Sequence, residues 1–255
     1  MNTRSAVQGT AAFAKSIAVL DMIAESPNPP DIAGLVRRSG FPRGTVHRIV
    51  QSLVAEELVA PREDKTFVLA PRIIRLAARA LEQNDITRLS ESALEALSGK
   101  TKETVHFAVF GEGSMRYTSI KDSPHAIRIA SSLGDSVAWH ASAIGQAVLA
   151  SLPKPEMVRI LDSINWVGFT KHTLKTKSAL ARRIREICKT GYSVAHQETD
   201  LDIECYGVAV RDSAGNPVAG ISVSVPLFRH SGNGEDYIKP MLECRDAIEQ
   251  LLPKV

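Results

Sequence analysis

Two helical patterns separated by a short break, within residues 31–59, constrain the fold of this chain more than any other stretch. The first pattern has an apolar stripe formed by Ile32, Leu35 and Val36. Asp31 precedes that stripe and is expected to cap the helix, since its carboxylate can accept from backbone N–H groups of the first turn. Gly40 suits the left-handed residue that ends a helix, and Pro42 suits the first position of the next. The stretch therefore predicts two helices joined by a tight turn.

The second helix of this pair combines an apolar face with a polar and basic face. Its buried set follows the i, i+3, i+4, i+7 spacing: Val46, Ile49, Val50 and Leu53. The outward side chains and the N-terminal end supply Arg43, Gly44, Thr45, His47, Arg48 and Gln51. Arg and Gln can read base edges in a major groove, and Thr and Arg can hold phosphates. We therefore expect a DNA-reading helix-turn-helix, with an ordinary helical hairpin as the alternative.

A β-hairpin is predicted directly after the reading helix, at residues 58–70, with a polar turn at 62–65. In this position it forms the wing of a winged helix, and Arg62 or Lys65 can reach a phosphate from its tip. A plain edge hairpin with a charged turn is the alternative. An earlier helix is expected over residues 11–26, and the proline cluster at 27–30 stops it. These parts make residues 11–70 one DNA-binding domain, preceded by a disordered arm at 1–10 that is expected to be a solvated tail.

Pro71 opens another helical pattern, which we interpret as a linker helix over residues 71–87. Its apolar stripe is formed by Ile73, Leu76, Ala77, Ala80 and Leu81. A stripe of this kind on a linker finds its most economical partner in a second copy of the chain, so we expect a homodimer. A further helix is predicted from about Thr87 to Gly99.

The remaining residues, 88–255, change character. Strands are predicted at 104–110, 115–120, 126–131, 192–197, 206–212 and 217–226, and helices at 142–152, 155–163, 177–189 and 237–252. The Gly215-Asn216 turn predicts a hairpin between the last two strands. Strands mixed with packing helices indicate an α+β domain with a largely antiparallel sheet.

Charge and cysteine content indicate which partners and which cellular compartment suit this chain. Residues 1–80 hold 11 Lys and Arg against 7 Asp and Glu, whereas the rest holds 20 against 21, so the small excess of positive charge lies on the helix-turn-helix half. No apolar run reaches spanning length and no signal-peptide core is present, so we expect no membrane partner. Three cysteines without CxxC spacing favour a reducing cytoplasm. Cys188 and Cys244 fall in helical patterns and are expected to be at least half-buried.

Several motifs, in order, resemble the isocitrate-lyase-regulator (IclR) family of bacterial transcription factors. They are Ser39-GFPRGTVHRIVQSL, Lys102-ETVHFAV, Gly134-DSVAWHASAIGQAVLAS, Thr170-KHT, Lys189-TGYSVAHQE and Gly207-VAVRDSAGNPVAGISVSVP. The resemblance extends from about residue 12 to the terminal helix. It implies a winged helix-turn-helix, a dimerising linker helix and a GAF-like C-terminal effector-binding domain, assembled as a homodimer or a dimer of dimers. It also implies a double-stranded DNA operator, palindromic in most members.

The resemblance also implies where an effector would bind. The family's effector loop enters a helix at Ser142, Ala143 and Ile144, where free backbone N–H groups and the positive end of the helix dipole favour a carboxylate. Cys205 occupies the family's pocket cysteine or serine position, and Ser222 and Ser224 match its alternating serines, which share one face of a strand. We expect a small carboxylate or aromatic acid and no cofactor. Ala195 stands where some members of the family place an acid, and Gln146 stands where a lysine is usual, so no relative's effector is carried over.

Two other classes of function remain open at this point. Cys205 with His106, His140 or His196 could form a thiol–imidazole pair, and Ser142 could be a nucleophile, but nothing local fixes such a geometry. No GxSxG, phosphate-loop or HExxH motif is present, and no close pair of metal ligands stands out. The other alternative is a ligand-independent DNA-binding protein whose C-terminal domain only oligomerises. We expect a cytoplasmic transcriptional regulator, not an enzyme, whose operator binding responds to a small organic acid.

Overall fold

The computed structural model of the chain describes residues 11–82, 85–126 and 131–253, and it divides into two compact units at Gln83/Asn84. The elements of the first unit are α1 (Ala11–Ala24), α2 (Ile32–Ser39), α3 (Arg43–Ala55), β1 (Val59–Pro61), β2 (Phe67–Leu69) and α4 (Pro71–Glu82). The predicted arm at 1–10 lies outside the described residues.

The first unit is built on the apolar stripes that the sequence predicts. Its buried core consists of Val19, Ile23, Leu35, Val46, Ile49, Val50, Leu53 and Val59. The strands β1 and β2 pair antiparallel and form the predicted hairpin. On α4, Ile74 and Leu76 are exposed, while the side chains of residues 80–82 lie outside the described part. The unit is therefore a three-helix core with a small hairpin and one further helix.

The second unit is an α+β domain. Its elements are α5 (Asp85–Thr101), β3 (Thr104–Gly111), β4 (Ser114–Lys121), α6 (Ala143–Ser151), α7 (Lys154–Ser163), α8 (Lys177–Thr190), β5 (Ser193–His196), β6 (Ile203–Arg211), β7 (Pro217–Pro226) and α9 (Glu235–Leu251), with a 3₁₀ turn at Leu227–Arg229. The five strands form one sheet in the order β4-β3-β7-β6-β5, and every neighbouring pair is antiparallel. This confirms the predicted fold class.

The two faces of this sheet have different partners, because successive side chains of a strand point to opposite sides. One face carries Phe107, Val208 and Ile221 and packs against α5 and α9. The other face carries Ala108 and Ala209, which pack against α6. The register pairs His106 with Ser222 and Cys205 with Ser224, so these four side chains lie together at the α6 side. The sheet thereby holds polar groups from three strands beside one helix.

Several predicted boundaries were wrong by a few residues. Pro42 is the N-cap of α3 and not its first residue, because its ψ of 141° is extended. Gly99 does not end α5, which continues to Thr101; a helical glycine costs only about 1 kcal/mol relative to alanine, and α5 is held by packing on α9. The helix stops where Lys102 adopts a left-handed φ of 58°.

Other differences concern the linker and one strand. The linker prediction of 71–87 covers α4, which ends at Glu82, and the first turn of α5, which begins at Asp85 and not at Thr87. The first helix ends at Ala24, two residues before its predicted end. The strand predicted at 126–131 falls mainly on residues 127–130, which are outside the described part. Within the described ranges, no helix is long and apolar enough to cross a membrane.

Candidate functional site

One face of the helix α3 is buried against its neighbours, and the opposite face is exposed. Val46, Ile49, Val50 and Leu53 are buried against α1 and α2, as the spacing predicts. Arg43, Gly44, His47, Arg48 and Gln51 are exposed, and Thr45 is half-buried. In the part of the chain that the structure describes, the five side chains of this set (Gly44 has none) make no hydrogen bond or ion pair. A row of free cations and amide groups on a rigid helix is what base and phosphate contacts require.

Local interactions fix the start of this helix relative to its neighbours. Asp31 accepts a hydrogen bond from the backbone N–H of Gly34 at 2.7 Å, and Gly40 has a left-handed φ of 68°, as expected for the two ends of α2. Arg38 donates to the carbonyl of Met22 at 3.0 Å and so joins α2 to α1. These hydrogen bonds therefore hold α1 and α2, the two helices against which α3 packs, in a fixed arrangement.

The hairpin after α3 places its two predicted cations at an exposed turn. Arg62 and Lys65 are both exposed, and Lys65 has a left-handed φ of 63°. The carboxylate of Asp64 accepts hydrogen bonds from the backbone N–H and hydroxyl of Thr66, at 3.0 and 2.5 Å, and these bonds lower its pKa. Asp64 thus organises the turn, and the nearby positive charge of Arg62 also acts to lower its pKa.

The second unit contains a cavity of about 330 Å³ on the α6 side of the sheet. It is lined by His106, Tyr117, Ser131, Asp135, Ser136, Ala138, Ser142, Ala143, Ile144, Phe169, Thr199, Asp200, Ile203, Cys205, Ser222 and Ser224. All six residues that the family resemblance assigns to effector binding are among them. The structure therefore brings together, around one cavity, residues that are up to 82 positions apart in the sequence.

The N-terminus of α6 approaches the sheet closely because glycines face it. A Cβ at Gly207 would lie 2.4 Å from the carbonyl carbon of Ala143, and one at Gly220 would lie 2.8 Å from the side chain of Ile144. Both distances are too short for any side chain. The backbone N–H groups of Ala143 and Ile144, the first two of the helix, have no carbonyl four residues earlier within the helix to accept them. They remain the free donors of this helix end.

The hydroxyl of Ser142 forms hydrogen bonds within the protein. It donates to the carbonyl of Ala138 at 2.8 Å and accepts from the backbone N–H of Gly145 at 3.1 Å, so it caps α6. Its place at the cavity is as predicted, but its hydroxyl is already engaged. The main-chain donors after it are the freer groups.

The strand residues at the floor of the cavity are neutral. The thiol of Cys205 donates to Ser224 at 3.2 Å, and burial raises the pKa of Cys205 to about 12. Ser222 and Ser224 are both buried, at 4% exposure. His106, across the β3–β7 pairing, is buried as well, and burial lowers its pKa to about 4 although Asp122 acts in the opposite direction. These residues offer hydrogen bonds without a charge of their own.

Sequence reasoning missed several residues of the cavity. Tyr117 lies with its ring centroid 5.2 Å from that of His106, and burial raises its pKa far above the ordinary value. Asp135 and Asp200 come from loops, and His106 had been named only as a candidate imidazole partner for Cys205. The alternation along β3 could have placed His106 on one face of its strand, whereas nothing local gives its pairing with Ser222 or places the loop residues.

A buried polar network joins α6 to the loops beside the cavity. The side-chain amide of Gln146 donates to Glu198 at 2.6 Å and to the carbonyl of His140 at 3.0 Å, and it accepts from Arg183 at 3.0 Å. Arg183 also pairs with Glu198 at 2.9 Å. Glu198 is 3% exposed, and this burial raises its pKa. The positive charge of Arg183 and the hydrogen bond from Gln146 act in the opposite direction and offset part of the rise. Gln146, in the place of a family lysine, therefore keeps the carboxylate partnered with the help of Arg183.

The same network reaches the loop that carries Phe169. The hydroxyl of Thr173 donates to the carbonyl of Glu198 at 2.7 Å and accepts from the backbone N–H groups of Phe169 and Thr170, at 3.0 and 2.9 Å. His140 is hydrogen-bonded to the carbonyl of Val167 at 2.8 Å. The loop at 167–173 is thus tied to both α6 and the segment that supplies Thr199 and Asp200.

Two family profiles match this chain. "IclR helix-turn-helix domain" matches residues 12–63, and "Bacterial transcriptional regulator IclR C-terminal" matches residues 78–250. The chain belongs to the IclR family. The transcriptional regulator KdgR of Escherichia coli is 30% identical over 201 residues, which cover 78% of this chain and 76% of KdgR. The transcriptional repressor IclR of Escherichia coli is 24% identical over 218 residues, covering 84% and 80% of the two chains.

Solved structures share the fold. An IclR homologue from Microbacterium hydrocarbonoxydans, complexed with 4-hydroxybenzoate, has a TM-score of 0.81 at 20% identity and covers 95% of this chain and 99% of its own. Because the relatives in this family are transcriptional regulators, this IclR-family chain is a transcriptional regulator and not an enzyme. Its described residues also contain no group of three or more His, Cys, Asp or Glu side chains placed to hold a metal ion.

Proposed function

We propose that this regulator binds a double-stranded, palindromic operator through α3 and the β1–β2 turn, and that a small organic acid in the α6 cavity modulates that binding. The observation that supports it best is the cavity itself, which gathers the predicted strand residues Cys205, Ser222 and Ser224 beside the free N–H groups of Ala143 and Ile144. A concave pocket with a few convergent polar groups is typical of a small-molecule site.

DNA contacts follow from the exposed face of the first unit. His47, Arg48 and Gln51 project from the helix body and would contact base edges. Arg43 and Thr45, at the helix start, would contact phosphates together with Arg62 and Lys65 of the wing. This division of roles matches the geometry of a helix inserted in the major groove.

A dimer would connect the two activities. Leu76, which belongs to the predicted stripe of α4, is 50% exposed in the single chain, and a second copy would cover it. A ligand that binds one arrangement of this dimer more tightly shifts the population toward it and changes the fit of two α3 helices to two half-sites. We place this activity in the cytoplasm, where DNA and metabolites are both accessible.

The test measures DNA binding with and without ligand. An operator is selected from a random duplex library with the purified protein, and ligands are found by thermal shift against small carboxylic and aromatic acids. The proposal expects a ligand that changes the operator Kd in the native protein. In the Ser222→Ala/Ser224→Ala variant the operator Kd without ligand stays the same and the response to ligand is lost.

Two results would reject the proposal. The proposed operator binding is contradicted if the protein binds no DNA sequence more tightly than it binds unrelated DNA. Ligands that bind without changing the operator Kd leave the alternative, a regulator whose C-terminal unit only oligomerises. Light scattering of the native protein and of Leu76→Glu tests the dimer, which the variant should weaken.

A further inference from the structure

The end of the reading helix α3 is bonded to the start of the linker helix α4 at two points. The first is a main-chain bond beside the hairpin, in which the backbone N–H of Ala70 donates to the carbonyl of Leu58 at 3.0 Å. The second comes from Arg72, the second residue of α4. Its Nη1 donates to the carbonyl of Glu56 at 2.5 Å and pairs with the Glu56 carboxylate at 3.2 Å.

Arg72 binds the carbonyl at the C-cap of α3. The last carbonyls of an α-helix lack partners within the helix. The turn after α3 supplies donors for three of them, since the N–H groups of residues 56–58 bind the carbonyls of residues 52–54. The carbonyl of Glu56 lies beyond that set, and Arg72 is its donor. A cation also suits this end of a helix because the helix dipole is negative there.

The Arg72 side chain lies against the first unit and does not extend into solvent. Its Nε is buried, with no partner among the described residues, and only 35% of the side chain is exposed. The guanidinium is planar and rigid, so a buried Nε and a bonded Nη1 together fix its position. The bond to Glu56 therefore has a defined geometry.

Beyond its first turn, α4 has little support from the first unit. Residues 74–79 are all exposed in the single chain. A helix held at its base by one bond can tilt about that bond, whereas a second bond displaced from the first fixes the angle. The bond of Ala70 is the first of these, and the bond of Arg72 is the second. The direction of α4 relative to α3 therefore depends on Arg72.

A small change in this angle has a large effect at the end of α3 that carries Arg43. Arg43 and Glu56 are 13 positions apart, which corresponds to about 20 Å of helix. A tilt of about 10° at the joint moves Arg43 by about 3.5 Å, which is close to the rise of one base pair, about 3.4 Å. In a dimer held by its α4 helices, the distance between the two α3 helices would change by a comparable amount.

We propose that Arg72 is a positioning residue for operator recognition, which fixes the angle between α4 and α3 and thereby the half-site spacing that the dimer accepts. Arg72 contacts no DNA in this assignment and acts through α3. The assignment rests on the proposed function, a dimer on a palindromic operator, and adds the residue that sets the spacing.

Fluorescence anisotropy with altered operators tests the assignment. The duplexes carry the selected operator, the same half-sites moved by one or two base pairs, or a single half-site. We expect the native protein to bind the operator at least about tenfold more tightly than the duplexes shifted by two base pairs. Arg72→Met should reduce this preference to about threefold or less, while its Kd for the single half-site stays within about twofold of the native value. The half-site value also shows that the variant is folded.

Three further variants separate the possible causes. Arg75→Met removes the same charge from an exposed position three residues later in α4 and should keep the native preference. Glu56→Gln removes the carboxylate but keeps the main-chain carbonyl, so it should also keep the preference. Arg72→Lys keeps a charged donor and should restore part of what Arg72→Met loses.

A distance measurement tests the angle without DNA. In a Cys188→Ser background, Arg37→Cys supplies one exposed thiol for a spin label near the end of α2, which precedes the start of α3. Double electron–electron resonance on the dimer should give a narrow distribution of distances between the two labels. Adding Arg72→Met should broaden that distribution, and adding Arg75→Met should leave it unchanged.

Four outcomes overturn the assignment. They are a native spacing preference that survives Arg72→Met, an equal loss in Arg75→Met, a Kd that rises by the same factor for every duplex including the half-site, and an unchanged distribution of label distances. The native protein distinguishes these from a failure of the proposed function. If it has no spacing preference at all, the paired operator itself is contradicted, and the role of Arg72 is rejected with it.

Discussion

Gly207 of β6 lies directly against the backbone of Ala143, so close that a Cβ at position 207 would be 2.4 Å from the carbonyl carbon of Ala143. Neither atom can move freely, since Ala143 starts a buried helix and Gly207 is paired on both sides within the sheet. The contact sets the depth at which the N-terminus of α6 meets the sheet. It therefore sets the position of the free N–H groups of the cavity.

Gly207→Ala is expected to lower the free energy of unfolding of the second unit by about 1–3 kcal/mol, because the added methyl group must displace the helix. Both tryptophans, Trp139 and Trp166, belong to this unit, so tryptophan fluorescence during urea unfolding follows it selectively. Gly99→Ala is the control: a Cβ there meets nothing within 4 Å, and alanine is the better helix former, so stability should hold or rise. Equal effects of the two substitutions would contradict the role of the contact.

Local signals in the sequence predicted the first unit well. Asp31 and Gly40 cap α2 as expected, and the buried set of α3 follows from its spacing, because caps and helical faces depend on residues at most a few positions apart. Pro42 was misplaced by one position because proline fixes φ and leaves ψ free to be extended.

The cavity could be predicted only in part. Cys205, Ser222 and Ser224 were found through family motifs, and the alternation of a strand puts the two serines on one face. Asp135 and Asp200 could not be found, since loops carry no periodicity and only tertiary structure brings them to one opening. The same reason hides the contact of Arg183 with Glu198, which joins α8 to a loop.

Arg183→Met should destabilise the second unit by about 3–5 kcal/mol, because it leaves the buried carboxylate of Glu198 without its cationic partner. Adding Glu198→Gln should restore part of that loss, since a neutral amide needs no counter-charge. Arg182→Met, one position earlier on the exposed side of α8, should change stability by at most about 0.5 kcal/mol. The same urea unfolding assay measures all three, and a double variant no more stable than Arg183→Met would rule out charge burial as the cause.

The cysteines differ in exposure, and one of them differs from expectation. Cys188 is exposed although its thiol donates to the carbonyl of Ala150 at 3.6 Å, so the sequence prediction that it is at least half-buried was wrong. Burial raises the pKa of both Cys205 and Cys244 to about 12, so their thiolate fractions near neutral pH are very small. We expect a disulfide reagent at pH 7.5 to modify Cys188 rapidly and the other two only on unfolding. Loss of the fast phase in Cys188→Ser checks this, and a persistent fast phase would contradict it.

Arg48→Ala and Arg43→Ala should weaken DNA binding in different ways. Arg48 is assigned to a base edge, so its loss should cost about 1–3 kcal/mol at the selected operator and much less on unrelated DNA. Arg43 is assigned to a phosphate, so its loss should weaken binding to both and reduce the slope of log K against log salt by about one. Fluorescence anisotropy over a salt series measures both quantities. Arg185→Ala, an exposed arginine of α8 in the second unit, controls for net charge, and identical profiles for Arg48→Ala and Arg43→Ala would contradict the division of roles.

The stability of the second unit should depend on pH through His106. Burial lowers its pKa from the ordinary 6.5 to about 4, so between these values the unfolded chain binds a proton that the folded protein does not. The free energy of unfolding should therefore fall as the pH decreases from 6.5 toward 4, with a contribution of at most about 1.4 kcal/mol per pH unit from this residue. Above pH 6.5 the contribution is constant, because the imidazole is neutral in both states.

His106→Gln isolates this contribution, because glutamine has no proton to gain in this range. Urea unfolding of the two proteins, followed by tryptophan fluorescence at several pH values from 7 to 4.5, should give a shallower loss of stability for the variant. The comparison is between slopes, so a constant difference in stability caused by the substitution does not affect it. Parallel curves would show that folding does not lower the pKa of His106 and would contradict this prediction.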